Sequence, residues 1–280
     1  MELFASDFDG TLHFPNVGIS QADRKAIQRF RAQGNFFGLC TGRSPQSLWP
    51  PLDAGGPMEL DFYILCSGAL ILNGERKMIA SSPLPTSSLK AMLTLCRTIL
   101  SDRYVPAFGS AERFYEVEHF SNSPYTARHR MNPGPALREE KLENGCHPPI
   151  YTIAMDCGTE TAAKEAVCAL APYGEEAGLA FYQNTQFIDT VHIGCSKGDG
   201  IRAVCRHLNF SGIPACIGDS YNDLSMFGAT PLSFTFRSSP AAVRAKARFQ
   251  VDSVAQSLRI LKELRQKEQD NNGTNHFSRK

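Results

Sequence analysis

The chain has 280 residues, of which 42% are hydrophobic, and this is enough to bury a sizeable core and too many for a disordered protein. Its 29 Lys and Arg residues nearly balance its 28 Asp and Glu residues, which leaves a formal charge of +1. This net charge is too small to draw the chain to nucleic acid or to an anionic membrane. Any anionic ligand must therefore be held by local groups.

The N-terminal sequence and the cysteines indicate the compartment. Asp7 and Asp9 interrupt the segment where a signal peptide would have its apolar core, and no apolar run approaches the roughly 18 residues that span a bilayer. The nine cysteines include no C-x-x-C pair. We therefore expect a cytoplasmic protein that has no disulfide framework and no thiolate zinc site.

The beginning of the chain alternates between strands and helices. The segments "ELFAS", "NFFGLC" and "FYILC" are short apolar strands, separated by a helix that Ser20 caps and by a second helix. This βαβαβ order predicts parallel strands joined by right-handed crossovers. Ligands bind at the carboxyl ends of such strands, and Asp7, Thr41 and Ser67 stand there.

A second unit follows the Asn73-Gly74 dipeptide, which predicts a hairpin. Helical and strand patterns recur beyond it, and the chain returns to the first pattern near "CSKGDG", so we interpret the intervening part as a second α/β layer inserted into the first. The predicted units are a core of residues 1–83 and 189–267, an inserted domain of residues 84–188, and a disordered polar tail of residues 268–280 after a last helix that ends near Lys267.

Residues 119–149 are polar, rich in proline and weakly periodic, which is typical of a long functional loop. Arg128, His129 and Arg130 within this loop could hold substrate or could form a solvated charge cluster. The histidines of the chain have no metal-ligand spacing, so none is assigned to a metal.

Four polar stretches follow predicted strands: "DFDGT", "CTGRS", "CSKGD" and "GDSYND". Carboxylate oxygens without a His or Cys cluster suit Mg²⁺, which commonly binds one or two carboxylates together with water and phosphate. Lys197 and the Thr41 hydroxyl could donate to phosphoryl oxygens, because a transferring phosphoryl group needs positive charge and hydrogen bonds around it. The sequence therefore predicts a site for Mg²⁺ and phosphate. Its carboxylates are Asp7, Asp9, Asp219 and Asp223.

In this order the four stretches resemble the four motifs of the haloacid dehalogenase superfamily of phosphohydrolases. The long interval before the third motif is similar to that of the Cof-like branch, whose α/β cap of type C2B lies between the second and third motifs. The resemblance implies an α/β fold with a Rossmann-like parallel-sheet core and an inserted α/β cap. It also implies that Asp7 is a nucleophile that forms an aspartyl-phosphate, and that Asp9 is the general acid and base.

The resemblance also implies which residues bind each ligand. The expected metal set is the Asp7 carboxylate, the backbone carbonyl of Asp9, and Asp219, with Asp223 in support. The expected phosphate set is Thr41, Gly42 and Lys197, assisted by Asn222.

Two stretches depart from the family pattern. Ser67 stands where Cof-like members usually carry Asn, so a contact to phosphate or leaving group could be lost or mediated by water. The stretch "TFRSSPAAVRAKA" lacks the usual Gly-Asn-Ala step. Neither departure touches the predicted nucleophile or metal site, so they bear on substrate identity rather than on the reaction class.

The favoured function is a Mg²⁺-dependent phosphatase of a small phosphorylated metabolite, such as a sugar phosphate or a phosphorylated cofactor, with no nucleic-acid or membrane partner. One alternative is a phosphotransferase or mutase of the phosphomannomutase type. Another is a non-catalytic phosphate-binding regulator, against which Asp9 argues, because a long-lived acyl phosphate gains nothing from a base that hydrolyses it. The sequence leaves the substrate and the oligomeric state open.

Overall fold

The computed structural model describes residues 1–117 and 136–277, with side chains described as far as residue 267. The predicted loop residues Arg128, His129 and Arg130 lie outside the described residues.

The described strands are β1 (Leu3–Ser6), β2 (Phe36–Cys40), β3 (Phe62–Leu65), β4 (Leu70–Asn73), β5 (Met78–Ser81), β6 (Ala107–Gly109), β7 (Phe114–Val117), β8 (Ala136–Leu137), β9 (Thr152–Asp156), β10 (Leu179–Asn184), β11 (Phe187–His192), β12 (Ala215–Ile217), β13 (Leu232–Phe236) and β14 (Phe249–Val251). The described helices are α1 (Gln21–Ala32), α2 (Pro45–Ala54), α3 (Thr86–Thr98), α4 (Glu139–Glu143), α5 (Glu160–Leu170), α6 (Gly174–Ala177), α7 (Lys197–His207), α8 (Leu224–Ala229), α9 (Ala241–Arg244) and α10 (Val254–Phe277). Short 3₁₀ turns cover Cys66–Gly68, Ala171–Tyr173 and Tyr221–Asp223.

The strands form two sheets. The first has the order β14-β13-β12-β1-β2-β3-β4-β5, and its strands from β14 to β3 are parallel. The hairpin predicted at Asn73-Gly74 joins β4 to β5 and adds an antiparallel edge. The second sheet has the order β10-β11-β9-β6-β7-β8 and is mostly antiparallel. The predicted α/β fold with a parallel core sheet is confirmed.

The parallel strands from β13 to β3 are buried on both faces, which explains why they are mostly apolar throughout rather than alternating. On one face the Phe4 ring of β1 stacks on the Phe37 ring, with 5.6 Å between the ring centroids. The Phe234 ring also packs against Phe4, at 6.0 Å. On the other face Ala5 and Cys40 belong to a second apolar cluster that includes residues of α7 and α8. The resulting rigid layer fixes where β1, β2 and β12 end.

The second sheet has its own apolar cluster, to which α3 contributes Leu89, Met92 and Leu93 and the strands contribute Phe108 and Ile153. Its strand β11 runs to His192, four residues beyond the predicted boundary at residue 188. The predicted boundary thus falls inside β11. We keep the division into core and inserted domain as a proposal, with β11 as the strand through which the chain returns to the core.

The last helix continues to Phe277, whereas the sequence predicted an end near Lys267 and disorder beyond it. Residues 268–272 contain neither glycine nor proline, so nothing in them forces the hydrogen-bond ladder to end. No described helix is both long enough and apolar enough to cross a membrane. The nine cysteines are free thiols, and most of them are buried.

Candidate active site

Polar segments from distant parts of the chain meet at the carboxyl edge of the parallel strands. Asp7 directly follows β1 and Thr41 directly follows β2, while one glycine separates Asp219 from β12. The backbone amide of Asp7 donates to the Ile217 carbonyl at 2.9 Å, and that of Thr41 to the Ile64 carbonyl at 2.8 Å. These bonds extend the sheet past the strand ends and hold the polar side chains next to one another.

Lys197 forms the floor of the site. It is the first residue of α7, whose N-terminus Ser196 caps, and it is only 1% exposed. Its Nζ donates to Oδ1 of Asp7 and to Oδ1 of Asp223, at 2.6 Å in both cases. Burial alone would lower the pKa of Lys197, but the two carboxylates outweigh this effect and hold the pKa well above its usual value. The ammonium group therefore remains charged.

Asp223 anchors the fourth motif. Its Oδ2 accepts hydrogen bonds from the backbone amides of Asp219 and Ser220, both at 2.9 Å, and its Oδ1 accepts the bond from Lys197. The side chain is fully buried. Both oxygens of Asp223 therefore already accept hydrogen bonds, which orient Lys197 and the Asp219 backbone.

Asp219 lies half-buried beside the "DFDGT" segment. The Thr11 hydroxyl donates to its Oδ1, a contact between residues 208 positions apart that the sequence did not reveal. A Cβ on Gly10, whose φ is +77°, would lie 2.7 Å from Oδ2 of Asp219, so only glycine leaves room for this carboxylate. Burial, reinforced by the charge of Asp223, raises the pKa of Asp219 to about 6.

The donor set fits a hard divalent cation. Oxygen atoms of Asp7, Asp219 and Asp223 lie within 4.8 Å of one another, and no His or Cys side chain belongs to this group of described residues. Burial raises the pKa of Asp7 well above its usual value, and the charges of Asp223 and Asp219 add to the shift while Lys197 opposes it. One ammonium thus faces three carboxylates, an excess of negative charge that a cation such as Mg²⁺ would neutralise.

Asp9 lies at the mouth of the site, where Arg43 holds its side chain. The Arg43 Nε donates to Oδ2 of Asp9 at 2.6 Å and Nη2 donates to Oδ1 at 2.8 Å, while Nη1 donates to the Ser47 carbonyl at 2.6 Å. The side chain of Asp9 is 47% exposed, so it borders the solvent-filled cavity. Sequence reasoning used Thr41 and Gly42 of this motif and missed Arg43, although the quoted "TGR" contains it.

The predicted phosphate-binding residues line the same edge. Thr41 is buried, and its Oγ1 accepts a hydrogen bond from the Arg43 amide at 3.1 Å, which leaves its hydroxyl proton available to a ligand. Ser67 has a left-handed φ of 51°, and its buried Oγ has no hydrogen-bond partner among the residues that the structure describes. Asn222 is buried in the 3₁₀ turn that precedes α8.

A cavity of about 740 Å³ opens in front of these residues. The first sheet's loops line it with Asp9, Gly42 and Arg43, and the second sheet lines it with Arg113, Phe114, Asn184, Phe187 and Asp189. This volume falls within the range of small-molecule sites. Sequence reasoning missed Asp189. The one signal that could have found it is its position as a charged residue between Ile188 and Thr190, which are both buried in β11.

Comparison with known proteins agrees with this fold. A model of the haloacid dehalogenase-like hydrolase family matches residues 4–258. An HMP-PP phosphatase from Escherichia coli (strain 55989 / EAEC) is 21% identical over 258 residues, which cover 87% of this chain and 87% of that protein. An uncharacterised protein from Mycoplasma capricolum is 24% identical over 229 residues, which cover 79% of this chain and 85% of the other.

Among solved structures, the sugar phosphatase BT4131, described as a member of subclass IIB, superimposes with a TM-score of 0.73 at 20% identity. The match covers 93% of this chain and 99% of that chain. SMU.1108c from Streptococcus mutans superimposes with a TM-score of 0.77 at 16% identity, covering 94% and 98% of the two chains.

The chain belongs to the haloacid dehalogenase-like hydrolase family, since the family match spans most of its length. The predicted family and the predicted enzyme class, a hydrolase of the phosphatase type, are confirmed. The roles of the individual site residues, the metal and the substrate stay predictions.

Proposed function

We propose that this hydrolase is a Mg²⁺-dependent phosphatase that acts on a small phosphorylated metabolite through an aspartyl-phosphate on Asp7. The observation that carries the proposal is the buried ammonium of Lys197, whose Nζ lies 2.6 Å from Oδ1 of Asp7. A cavity lined by Asp9, Gly42 and Asp219 opens at the same edge of the sheet. A buried cation beside a carboxylate would position the carboxylate and attract the dianionic phosphoryl group.

The first half-reaction follows from the positions of Asp7 and Asp9. A carboxylate oxygen of Asp7 attacks phosphorus while the bond from phosphorus to the leaving oxygen breaks, and Asp9 gives a proton to that oxygen. Lys197, the Thr41 hydroxyl and the Gly42 amide donate to the phosphoryl oxygens.

The second half-reaction returns the enzyme to its starting state. Asp9, now ionised, takes a proton from a water molecule, whose oxygen attacks phosphorus and breaks the bond to Asp7. Inorganic phosphate leaves, and Asp9 holds the proton for the next cycle.

Asp7 and Asp219 are the carboxylates that would hold Mg²⁺, with the Asp9 backbone carbonyl. Asp223 would support them by fixing the Asp219 backbone. The bound cation would neutralise the carboxylates and the charge on the phosphoryl oxygens, which lets an anionic substrate approach Asp7.

The names of two similar proteins support a phosphorylated metabolite as substrate. One is an HMP-PP phosphatase and the other a sugar phosphatase. Phe114 and Phe187 give the cavity apolar surface for a ring, and Arg113 and Asn184 add polar groups. A sugar phosphate or a phosphorylated cofactor of moderate size would fit this lining.

The experiment that tests the mechanism is intact-protein mass spectrometry of the full chain after brief mixing with an aryl phosphate and Mg²⁺, followed by acid quench. An aryl leaving group needs little protonation, so Asp9→Asn should still form the adduct but hydrolyse it slowly. We expect one phosphate adduct to accumulate in Asp9→Asn and none in Asp7→Asn.

Steady-state phosphate release supplies the second readout. We expect turnover to fall by about 10²–10⁴-fold in Asp9→Asn, to be lost in Asp7→Asn, and to disappear in chelator and return with Mg²⁺. Asp53→Asn, an exposed aspartate paired with Arg76, is the matched control and should behave like the parent. Parental turnover by Asp7→Asn, or full activity in chelator, would refute the proposed mechanism.

A further inference from the structure

Three consecutive residues between β3 and β4 have left-handed backbone conformations. The φ angles of Cys66, Ser67 and Gly68 are +49°, +51° and +97°, the longest such run among the residues that the structure describes. We call these three residues the left-handed turn. A left-handed conformation costs free energy at any residue with a Cβ, and a hairpin loop of this length is most often built around a type I turn. The hairpin alone therefore does not account for this strain, which proteins commonly retain at functional sites.

The first two amides of the left-handed turn hold the segment that would bind phosphate. The Cys66 amide donates to the Arg43 carbonyl at 2.9 Å, and the Ser67 amide donates to the Thr41 carbonyl at 3.0 Å. These two carbonyls lie on either side of Gly42, so both ends of this short segment are tied to the left-handed turn. The direction of the Gly42 amide, which would donate to phosphate, is thereby fixed.

The third residue of the left-handed turn lies against the beginning of α7. A Cβ on Gly68 would overlap the Ser196 carbonyl oxygen and would lie 2.8 Å from the carbonyl carbon, so only glycine permits this contact. The same carbonyl accepts a hydrogen bond from the Gly200 amide at 3.0 Å, within α7. Ser196 caps α7 and directly precedes Lys197. A shift of the Ser196 backbone therefore moves the residue that carries the buried ammonium.

We propose that the left-handed turn positions two phosphate-binding groups relative to each other, and that Gly68 is the positioning residue for Lys197. The inference rests on the proposed function, in which Lys197 and the segment that contains Thr41 and Gly42 donate to the same phosphoryl group. The strain of the turn is then retained because it holds donors from two distant segments in one geometry. Misplacing one donor weakens the binding of every phosphoester to a similar extent, since these donors contact the phosphoryl group and not the leaving group.

The test compares Gly68→Ala with Gly56→Ala and uses inorganic phosphate as the probe. Gly56 has a φ of +86°, and no atom of the described residues lies within 4 Å of an added Cβ, so Gly56→Ala has a similar backbone cost without the overlap. Calorimetric titration of phosphate into the full chain with Mg²⁺ reports binding without turnover. We expect the Kd of phosphate to rise by about 10-fold in Gly68→Ala, the size of one hydrogen bond to a charged group. Gly56→Ala should keep the parental Kd.

Steady-state kinetics separate positioning from other roles of Gly68. We expect Gly68→Ala to lower kcat/KM by similar factors for an aryl phosphate and for glycerol 3-phosphate, so the ratio between the two esters stays parental. A role in stability alone would lower the Tm but leave the Kd of phosphate for the folded protein unchanged. A changed ratio between the two esters would instead assign Gly68 to the leaving group and would overturn the proposal.

Two variants of Ser67 carry the test if Gly68→Ala does not fold. Ser67→Ala and Ser67→Gly both remove the hydroxyl, but only Ser67→Gly removes the Cβ that restricts the backbone. Glycine adopts a φ of +51° without steric cost, so the Tm of Ser67→Gly should equal or exceed that of Ser67→Ala. We expect Ser67→Gly nevertheless to bind phosphate about 3-fold more weakly, because a looser turn must be ordered on binding. Equal affinities in the two variants would overturn the proposal.

The binding measurement also keeps failure of this inference apart from failure of the proposed function. In Lys197→Met, the further change Gly68→Ala should cost much less phosphate affinity than in the parent, because the group that it displaces is absent. This dependence would support the inference even if the parent forms no phosphate adduct on Asp7. Parental affinity in Gly68→Ala, or equal losses with and without Lys197, would overturn the inference and leave the mass-spectrometric experiment to judge the mechanism. A parent that binds no phosphate would overturn both.

Discussion

The guanidinium of Arg43 donates hydrogen bonds to both carboxylate oxygens of Asp9, at 2.6 and 2.8 Å, although 34 positions separate the two residues. A third bond from Arg43 to the Ser47 carbonyl fixes the guanidinium, and the Phe8 ring lies 5.6 Å from its central carbon. Such a two-point contact fixes the direction of a carboxylate, which a single charge does not. Arg43 therefore sets where the proposed acid and base points.

The first prediction concerns this contact. We expect Arg43→Ala to lower kcat on an aryl phosphate by about 10-fold or more, because a loosely held Asp9 rarely faces the reacting water. Arg43→Lys keeps the charge but not the fork, and should fall between Arg43→Ala and the parent. Steady-state kinetics of the three proteins would measure this. A higher kcat in Arg43→Ala would instead mean that the ion pair holds Asp9 away from its task.

The second prediction concerns Lys197. Lys197→Met should lower the free energy of unfolding by about 3–5 kcal/mol at neutral pH, because it leaves Asp7 and Asp223 buried without their cation. The loss should shrink toward pH 4, because burial raises the pKa of Asp7 and a protonated Asp7 no longer needs the cation. Urea denaturation at the two pH values tests this. Lys262→Met, at an exposed lysine of α10, is the control, and an equal loss in both variants would contradict a role for the buried charge.

The third prediction uses the close approach of Gly10 to Asp219. In Gly10→Ala the new Cβ would lie 2.7 Å from the carboxylate and displace it, so the Mg²⁺ concentration for half-maximal activity should rise about 10-fold. Gly34→Ala is a matched control: its φ of +80° carries a similar backbone cost, but no atom lies within 4 Å of the added Cβ. Metal titrations of both variants would show whether only Gly10→Ala is affected.

The fourth prediction is a pH dependence of stability in chelator. The pKa of Asp219 is about 6 in the fold against 3.8 ordinarily, so the native state binds more protons than the unfolded state between these values. Stability must therefore fall as pH rises from about 4 to about 6, by at most about 3 kcal/mol for this group. Denaturation curves at pH 4 and pH 7 measure the fall.

Asp219→Asn should reduce this fall because the amide does not titrate. Added Mg²⁺ should raise the Tm of the parent more at pH 7 than at pH 5, since the proton and the cation compete for the same carboxylate. An equal rise at both pH values would show that Asp219 does not bind the metal.

The sequence by itself determined the parallel sheet and the edge at which the polar motifs meet. Apolar strands that alternate with helices favour parallel pairing in one sheet, and the carboxyl ends of parallel strands lie at one edge. Asp7 and Thr41 could therefore be placed from their positions directly after strands, without knowledge of any long-range contact.

Only the tertiary structure decided what those side chains touch. The contacts of Arg43 with Asp9, of Thr11 with Asp219 and of Lys197 with Asp7 join residues 34, 208 and 190 positions apart. Asp189 reaches Gly42 because β11 of the second sheet packs against the edge of the first. A local pattern encodes the direction of a strand and where it ends. The distance between two side chains depends on how whole layers pack, and no short segment carries that information.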